Sequence, residues 1–503
     1  MNQGPPVSPG ELPDRIETLR TLVKQAGDEA DPKLLEEFGG QLFQAREFEE
    51  AAGIYQRLTA SDEGTARFHN NLAACQLELG RYHEAIASAT AAIERDPKLG
   101  AALANRADAY RQLGQVKLAS EDYETAVALD PRNPVLLNKA GACAQLYNRY
   151  RLAGELFRKA LAVAPSYNLA RLNLGLLELE ITGSDSALEQ IRSALRDPSL
   201  DPQSRTVGDV ALAVTTEHKR LRQPLDKAVE ARDPALLDEV IDSTPPSLLR
   251  TDRPSVKVME SVAESCRALN WEPEAFRLLG DTSSIPFLEA CVHCKLESRA
   301  ESLHIVRQSL EKGGPLPPAA QRRNLPAIVA ACEERRQQDF DGQFAARAES
   351  LLHYWHARLT AHNRHAWPGQ YKPVPNAIGT AELVPAAPPA AVAGTVRHMA
   401  REIAPDLEPG LPRAVFLLAT IIQIHAFKDG NGRLARFVFS GHMESAGLGP
   451  LMVTPVTRHH YVEGLQQGRA ERSAQPLVDG LVRVYRDAQQ LLNEYNRHQG
   501  PKL

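Results

Sequence analysis

The chain has 503 residues, of which 43% are hydrophobic and 24% are charged, so it is long enough for about three domains and too apolar to be disordered throughout. Its 58 Lys and Arg residues against 63 Asp and Glu residues give a formal net charge of -5. This balance excludes a global basic field that would attract nucleic acid or anionic lipid, so we expect no nucleic-acid partner and no membrane partner. Any anion-binding site has to be local.

The cysteines and the N-terminal residues bear on the cellular compartment. The 6 Cys residues are scattered, without the dense spacing of a secreted disulfide scaffold, which favours a reducing compartment. Residues 1–15 lack the basic and apolar regions of a signal peptide, and no run of about eighteen apolar residues follows. We therefore expect an unanchored, cytoplasmic protein, and we leave open its delivery into another cell as an effector.

A 34-residue repeat follows an N-terminal segment over residues 1–31. Each copy carries a small residue and then a proline at the same offset: Ala85 and Pro97, Ala119 and Pro131, Ala153 and Pro165. This period predicts pairs of antiparallel helices that approach closely at the small residues. Over residues 32–201 we count four clear copies and one degenerate copy, and the pattern resembles the tetratricopeptide repeat family. The resemblance implies a helical solenoid whose groove binds a protein or peptide ligand.

Residues 202–345 form a middle region that keeps helical periodicity without the repeat. We predict further helices there, stacked on the repeats. The segment Cys291-Val292-His293-Cys294 has the spacing of half a zinc site, but no second half lies near it, so we interpret it as a buried pair of free cysteines. Four histidines follow, which we interpret as surface or core residues: His353, His356, His362 and His365.

The next segment changes in composition before one strongly apolar helix. Five prolines between residues 373 and 389 prevent a long helix and predict a hairpin or flap around residues 374–378. Residues 412–424 are apolar on nearly every face, which is typical of a helix at the centre of a domain.

That helix leads into His425-Ala426-Phe427-Lys428-Asp429-Gly430-Asn431-Gly432-Arg433-Leu434-Ala435-Arg436. Gly430, Asn431 and Gly432 tolerate positive φ, so successive backbone N–H groups can converge on an anion. A helix that restarts at about Gly432 points its N-terminal dipole at the same place, and Arg433 and Arg436 project from one of its faces. These features predict a polyphosphate site.

Two further residues of the segment suit chemistry at such a site. Asp429 offers a carboxylate for a magnesium ion that also contacts phosphate oxygens. His425 offers an imidazole that accepts a proton near neutral pH. Phe427, between them, is predicted to point inward and anchor the loop. A lone Asp-Gly-Asn-Gly is usually a turn and a lone His usually structural, but all these groups fall within twelve residues, which favours a functional site.

The segment resembles the Fic motif, HxFx(D/E)GNGRxxR, with every defining position present and Ala426 where most members carry Pro. The resemblance covers about residues 350–495, and we place the domain at 346–497. Gly369-Gln370-Tyr371-Lys372 is similar to the segment before the family's target-docking flap, and residues 461–465 are similar to a helix that borders the adenine. The implied fold is all-α, a tetratricopeptide solenoid followed by a helical Fic domain with a small β-hairpin flap.

The resemblance also implies an activity, the transfer of AMP from ATP to a Ser, Thr or Tyr hydroxyl of a target protein. His425 is then the catalytic base and Asp429 the magnesium ligand. Gly430, Asn431 and Gly432 seat the α- and β-phosphates, while Arg433 and Arg436 hold the outer phosphates. The repeats recruit the target or another partner.

Three alternatives concern the reaction. The phosphate-transferring relative Doc has Lys at the position of Gly432, and a phosphocholine-transferring relative has Ala at the position of Gly430, so neither variant is present here. Transfer of UMP or another nucleotide stays open, because the loop binds phosphates and not the base. The third alternative is a tetratricopeptide scaffold whose Fic domain binds nucleotide without turnover, and the intact His425 and Asp429 argue against it.

Many Fic proteins carry a self-inhibitory helix with the pattern (S/T)xxxE(G/N). Residues 59–64 match it in letters, but they fall between two repeats and are interpreted as a turn. No match lies between residues 200 and 424. We therefore expect control by a partner or by the repeats. The target, its modified residue and the oligomeric state stay open at this stage.

Overall fold

The structure, a computed structural model, describes residues 12–61, 65–296, 299–363, 367–374, 377–378 and 384–498. These residues are helical or irregular apart from one pair of two-residue strands, so the predicted all-α class is confirmed. Among them, no helix combines the length and the apolar character that crossing a bilayer requires. The chain divides into two compact units, and the division falls between Gly208 and Asp209.

The N-terminal unit consists of one leading helix and five helical hairpins. The helices are α1 (Leu12–Ala26), α2 (Pro32–Gln44), α3 (Phe48–Ala60), α4 (Ala66–Glu78), α5 (Tyr82–Arg95), α6 (Gly100–Gln112), α7 (Val116–Leu129), α8 (Pro134–Leu146), α9 (Tyr150–Val163), α10 (Asn168–Thr182) and α11 (Asp185–Leu195), with a 3-10 turn at Gly27–Glu29. The first helices of the hairpins begin at residues 32, 66, 100, 134 and 168, which reproduces the 34-residue period. The predicted repeats are confirmed, and the degenerate fifth copy is also a hairpin.

Small residues let the two helices of a hairpin approach closely. Ala85, Ala119 and Ala153 are fully buried. Gly141 of α8 lies under the ring of Phe157 in α9, and a Cβ atom there would stand 2.6 Å from a ring carbon. Close packing of this kind leaves no room for a larger side chain, so the small residues are required by the hairpin geometry.

Helix α12 (Pro202–Ala231) contains the division, and the remaining elements belong to the C-terminal unit. They are α13 (Asp238–Asp242), α14 (Arg253–Arg267), α15 (Ile285–His293), α16 (Ala300–Glu311), α17 (Pro318–Arg322), α18 (Leu325–Arg336), α19 (Phe340–Thr360), β1 (Ala377–Ile378), β2 (Val384–Pro385), α20 (Pro389–His398), α21 (Leu411–Ile424), α22 (Asn431–Ser445), α23 (Arg458–Glu471) and α24 (Gln475–His498). Short 3-10 turns lie at Pro234–Leu237, Pro246–Leu248, Pro273–Phe276 and Ala404–Asp406, with a π-helical turn at Met399–Ile403.

One continuous hydrophobic core fills the C-terminal unit, from Leu221 to Tyr495. Helix α21 lies at its centre, as its apolar sequence predicts, with Val415, Leu417 and Leu418 fully buried. Helices of the middle region join the same core, since α14 packs on α21, α15 on α18, α18 on α22 and α16 on α24. The middle region is therefore part of the core of the C-terminal unit, and its expected stacking on the repeats stays a prediction. The boundaries at residues 31, 201, 345 and 497 stay predictions.

A short antiparallel strand pair follows α19. Ala377 pairs with Pro385, and Ile378 pairs with Val384. Residues 379–383 lie outside the described residues, so the target-docking flap stays a prediction. Just before β1, Lys372 N–H donates to the Ala426 carbonyl at 2.9 Å, which ties this segment to the loop after α21.

Candidate active site

The loop after α21 begins at His425. This residue takes a left-handed conformation (φ 50°, ψ 52°), which ends the helix and turns the chain toward α22. The imidazole is half-buried, and its Nδ1 is a buried atom that forms no hydrogen bond with the described residues. Burial, followed by the charge of Lys372, lowers the pKa of His425 to about 4. The ring is therefore neutral at pH 7, as a general base has to be.

Asn431 and Phe427 hold the loop in shape. The Asn431 side chain accepts from Phe427 N–H at 2.9 Å and donates to the Phe427 carbonyl at 2.7 Å. Phe427 is 1% exposed, so the predicted inward anchor is confirmed. Its ring stacks on that of His356 with centroids 3.8 Å apart. Because the Asn431 side chain is buried and bonds Phe427 through both its oxygen and its nitrogen, we expect Asn431 to offer an anion its backbone N–H.

Two buried histidines of α19 support the loop from below. His356 donates from Nε2 to the Asp429 carbonyl at 2.7 Å and accepts at Nδ1 from Gly369 N–H at 2.8 Å, which sets its tautomer. His353 donates from Nδ1 to the Gly369 carbonyl at 2.6 Å. Burial lowers the pKa of His356 to about 3 and that of His353 to about 4, so both are neutral. The interpretation as core residues is confirmed for these two, while His365 lies outside the described residues.

Gly430 forms the turn into α22. Its φ is 84°, and a Cβ atom there would lie 2.6 Å from Cγ2 of Thr360, so only glycine fits. Asn431 and Gly432 do not share the positive φ that we expected of all three residues, because α22 already begins at Asn431. Their N–H groups belong to the first helical turn, where no intrahelical acceptor exists. These groups and the helix dipole favour an anion at this end of α22.

A cleft of about 990 Å³ lies over this helix end. All seven predicted site residues line it: His425, Asp429, Gly430, Asn431, Gly432, Arg433 and Arg436. Its volume is at the upper end of the range of about 300–1,000 Å³ that is usual for ligand sites. The contiguous motif thus forms one side of a cavity that has room for a nucleotide.

Charge at the motif side of the cleft comes from one carboxylate and two guanidinium groups. Asp429 is exposed, and its Oδ1 accepts from Gly430 N–H at 2.6 Å. Arg433 donates to the Leu359 carbonyl at 2.5 Å, and burial lowers its pKa, opposed by the charge of Asp429. Arg436 lies one helical turn further, close to Gly432. This arrangement can bind a phosphate chain and a divalent cation side by side.

Other parts of the chain line the cleft without a signal in the sequence. They are His293, Lys295, Arg322, Arg323, His362 and Arg458, together with Tyr461 of α23. The cationic members come from three separate segments, and none has a motif around it. Of these, His293 and His362 carry no site assignment from the sequence, while Tyr461 lies in the segment compared with the helix that borders the adenine.

The segment at 291–294 belongs to a buried ion-pair network below the cleft. Cys291 and Cys294 are buried free thiols, so the interpretation made from the sequence is confirmed. Glu289, His293 and Cys332 present possible metal ligands within 4.8 Å of one another. However, both carboxylate oxygens of Glu289 accept from Arg335, at 2.9 and 2.6 Å. That bidentate pair occupies the carboxylate, so we interpret the group as structural.

Comparison with known proteins gives a family for each unit. The Fic/DOC family matches residues 347–442, and the tetratricopeptide repeat family matches residues 41–99 and 76–134. The Hsp70-Hsp90 organizing protein of Triticum aestivum is 27% identical over 27% of this chain and 25% of its own length. The human FK506-binding protein-like is 36% identical over 20% of this chain and 32% of its own length. The chain thus spans less than two thirds of either relative.

Solved structures resemble the repeats. A tetratricopeptide protein of Thermus thermophilus is 22% identical, with a TM-score of 0.33, over 36% of this chain and 99% of its own. The second tetratricopeptide domain of human RPAP3 was solved in complex with an HSP70 peptide. It is 28% identical, with a TM-score of 0.22, over 22% of this chain and 98% of its own. The family matches alone identify tetratricopeptide repeats within residues 41–134 and a Fic/DOC family domain at residues 347–442, which include His425 and Arg436.

Proposed function

We propose that the chain is a protein nucleotidyltransferase that moves AMP from ATP to a Ser, Thr or Tyr hydroxyl of a target protein. The observation that carries the proposal is the cleft itself. A neutral imidazole at His425, a carboxylate at Asp429 and the N-terminal end of α22 all line it. The Fic/DOC family match, which points to nucleotidyl transfer of this type, supports the same conclusion.

In this reaction the hydroxyl oxygen of the target forms a bond to the α-phosphorus of ATP, and the bond from that phosphorus to the bridging oxygen of pyrophosphate breaks. The hydroxyl proton passes to the imidazole of His425. The N–H groups of Gly432 and its neighbours hold the α- and β-phosphates, and Arg433 and Arg436 balance charge on the departing pyrophosphate. Positioning and charge neutralisation supply most of the catalysis of such a transfer.

The residues present fit a magnesium ion. Asp429 is the one carboxylate among the described residues that line the cleft, and its Oδ2 forms no hydrogen bond with a described residue. It would hold the ion beside the phosphates, where magnesium neutralises phosphate charge.

The repeats indicate a protein or peptide partner. We propose that the solenoid binds the target or a regulator of the transfer and so raises the local concentration of the hydroxyl substrate. The human RPAP3 domain in complex with an HSP70 peptide is one example of such binding by a related fold.

The decisive experiment incubates the purified protein with labelled ATP, CTP, GTP or UTP and magnesium, and reads self-modification by intact mass. A mass increase of one AMP with ATP supports the proposal. A mass increase only with UTP or another nucleotide shows that the donor is not ATP, and nucleotidyl transfer is still the reaction. Binding of ATP without any modification of the protein or of added protein substrates favours the scaffold alternative.

A further inference from the structure

The cleft holds many more positive charges than the motif supplies. Six cationic side chains line it, from Lys295, Arg322, Arg323, Arg433, Arg436 and Arg458, against the single carboxylate of Asp429. None of the six forms an ion pair within the part of the chain that the structure describes. Uncompensated like charges that share a cavity repel one another, so this arrangement favours a polyanionic ligand.

Two of the cations outside the motif, Lys295 and Arg323, come from the middle region, and a third, Arg458, comes from α23. Lys295 follows α15 in a left-handed conformation, with φ 55°. Arg323, at the turn between α17 and α18, donates to the Cys294 carbonyl at 2.6 Å, which ties that turn to the residue before Lys295. Arg458 is the first residue of α23. The Arg323 contact thus holds two of these cationic segments together.

The electrostatics show that these groups act on one another. Partial loss of solvent lowers the pKa of Lys295, and the charges of Arg323, Arg458, Arg436 and Arg433 lower it further. The charge of Arg323 also acts on Arg433, the residue at the start of α22. The cations of the middle region therefore share one field with the two motif arginines.

A nucleoside triphosphate whose charge is partly neutralised by a divalent cation offers fewer negative charges than this cluster has positive ones. The cleft, at about 990 Å³, is also at the upper end of the volume range of about 300–1,000 Å³ that is usual for ligand sites. We propose that Lys295, Arg323 and Arg458 extend the phosphate site beyond the two motif arginines, so that the cleft prefers nucleoside 5′-polyphosphates with four phosphates over ATP. This inference rests on the proposed nucleotide-binding function and names the ligand class of the same site.

Titration calorimetry of the full-length protein with ADP, ATP and adenosine 5′-tetraphosphate, each with magnesium, tests the inference. We expect the tetraphosphate to bind about tenfold more tightly than ATP, as one added charge-assisted contact predicts. Lys295→Gln and Arg458→Gln should each remove most of that gain and leave ADP binding within about twofold of the wild type. The matched control is Lys312→Gln, which removes an exposed charge of the middle region that does not line the cleft. It should leave the affinities for all three nucleotides unchanged.

The possible binding results distinguish failure of the extended phosphate site from failure of the proposed function. Equal affinities for ATP and the tetraphosphate, unchanged in Lys295→Gln, overturn the extended site and leave the proposed function intact. If tripolyphosphate binds as tightly as adenosine 5′-tetraphosphate, the ligand class is not a nucleotide. The cationic cluster then binds phosphate chains without a nucleoside. No binding of any nucleotide to the wild type removes the proposed function itself.

Discussion

At the scale of single residues, His425 is the group whose removal separates chemistry from binding. We expect His425→Ala to lower the rate of transfer by about 10² to 10⁴, the usual effect of losing a general base. ATP binding should stay close to the wild type, because the N–H groups of α22 and the arginines do not depend on the imidazole. Labelling by intact mass and calorimetry with ATP measure the two effects. A variant that labels at the wild-type rate would remove His425 from the mechanism.

Arg436 permits a second test at the same scale. If it holds the outermost phosphate, Arg436→Ala should weaken ATP binding by at least about tenfold while ADP binding changes less, because the lost charge-assisted hydrogen bonds are to the γ-phosphate. Calorimetry with both nucleotides measures the difference. Equal losses for ADP and ATP would place Arg436 at the β-phosphate or away from the phosphates. Arg486→Ala, an arginine that does not line the cleft, serves as the control.

The motif could be identified from the sequence because its residues are contiguous. A turn between two helices brings His425, Asp429 and Arg436 together through local geometry alone, and the structure places all of them in one cleft. Lys295 and Arg458 could not be predicted, because they reach the cleft through packing of distant helices. No local pattern distinguishes either residue from the other 56 of the chain's 58 Lys and Arg residues.

At the scale of elements, the contact between α19 and the loop after α21 determines the shape of the site. His356→Phe keeps the stacking on Phe427 but leaves the Asp429 carbonyl and Gly369 N–H without partners. We expect a loss of about 2 kcal/mol in the free energy of unfolding, since each buried unpaired group costs about 1–3 kcal/mol. His356→Gln retains a donor and an acceptor, so its free energy of unfolding should lie between those of His356→Phe and the wild type. Urea unfolding measures the series, and a His356→Phe variant as stable as the wild type would contradict the assignment.

The buried histidines of this contact also predict a pH dependence of stability. Burial lowers the pKa of His353 to about 4 and that of His356 to about 3. Unfolded histidine titrates near about 6.5, so below that pH the unfolded chain binds protons that the native chain does not. The free energy of unfolding should therefore fall as the pH drops from about 6.5 toward 4, by about 1.4 kcal/mol per pH unit for each histidine.

Urea unfolding at several pH values between 7.5 and 4.5 measures this slope. The His356→Gln variant isolates one histidine. Its unfolding should take up about one proton fewer than that of the wild type, so its free energy of unfolding should depend less steeply on pH. A slope that is the same in the two proteins would show that His356 is protonated in the native state or titrates normally.

At the scale of the whole molecule, the middle region and the Fic/DOC domain share one core. The 34-residue period is lost at about residue 202, and periodicity carries no information about which helices pack together. The buried residues of α15 and α18, such as Leu288 and Ile328, belong to the same core as those of α21. The partners of these helices are set by tertiary packing, which is why their place in this core could not be predicted from the sequence.

This shared core decides which truncation is informative. A fragment of residues 346–503 lacks α15, α16 and α18, so it exposes apolar surface on α22 and α24 and should give little soluble, folded protein. A fragment of residues 202–503 retains every helix of that core. Because no inhibitory glutamate pattern lies between residues 200 and 424, we expect the longer fragment to label itself about as fast as the full-length protein. The repeats should matter only for the physiological target, which they bring near the cleft.

The competing possibility is inhibition from within the chain by Glu63, which lies in the motif-like stretch at 59–64 and outside the described residues. If Glu63 blocked Arg436, then Glu63→Gly in the full-length protein and removal of residues 1–201 would both raise the labelling rate sharply. The labelling rates of Glu63→Gly, of the protein without residues 1–201 and of the wild type, under one set of conditions, test this inhibition. Glu29→Gly is the control, because it also removes one carboxylate. Since residues 59 and 60 are the last two residues of the repeat helix α3, we expect all four labelling rates to agree within about twofold, a change below the tenfold that a single charged contact usually produces.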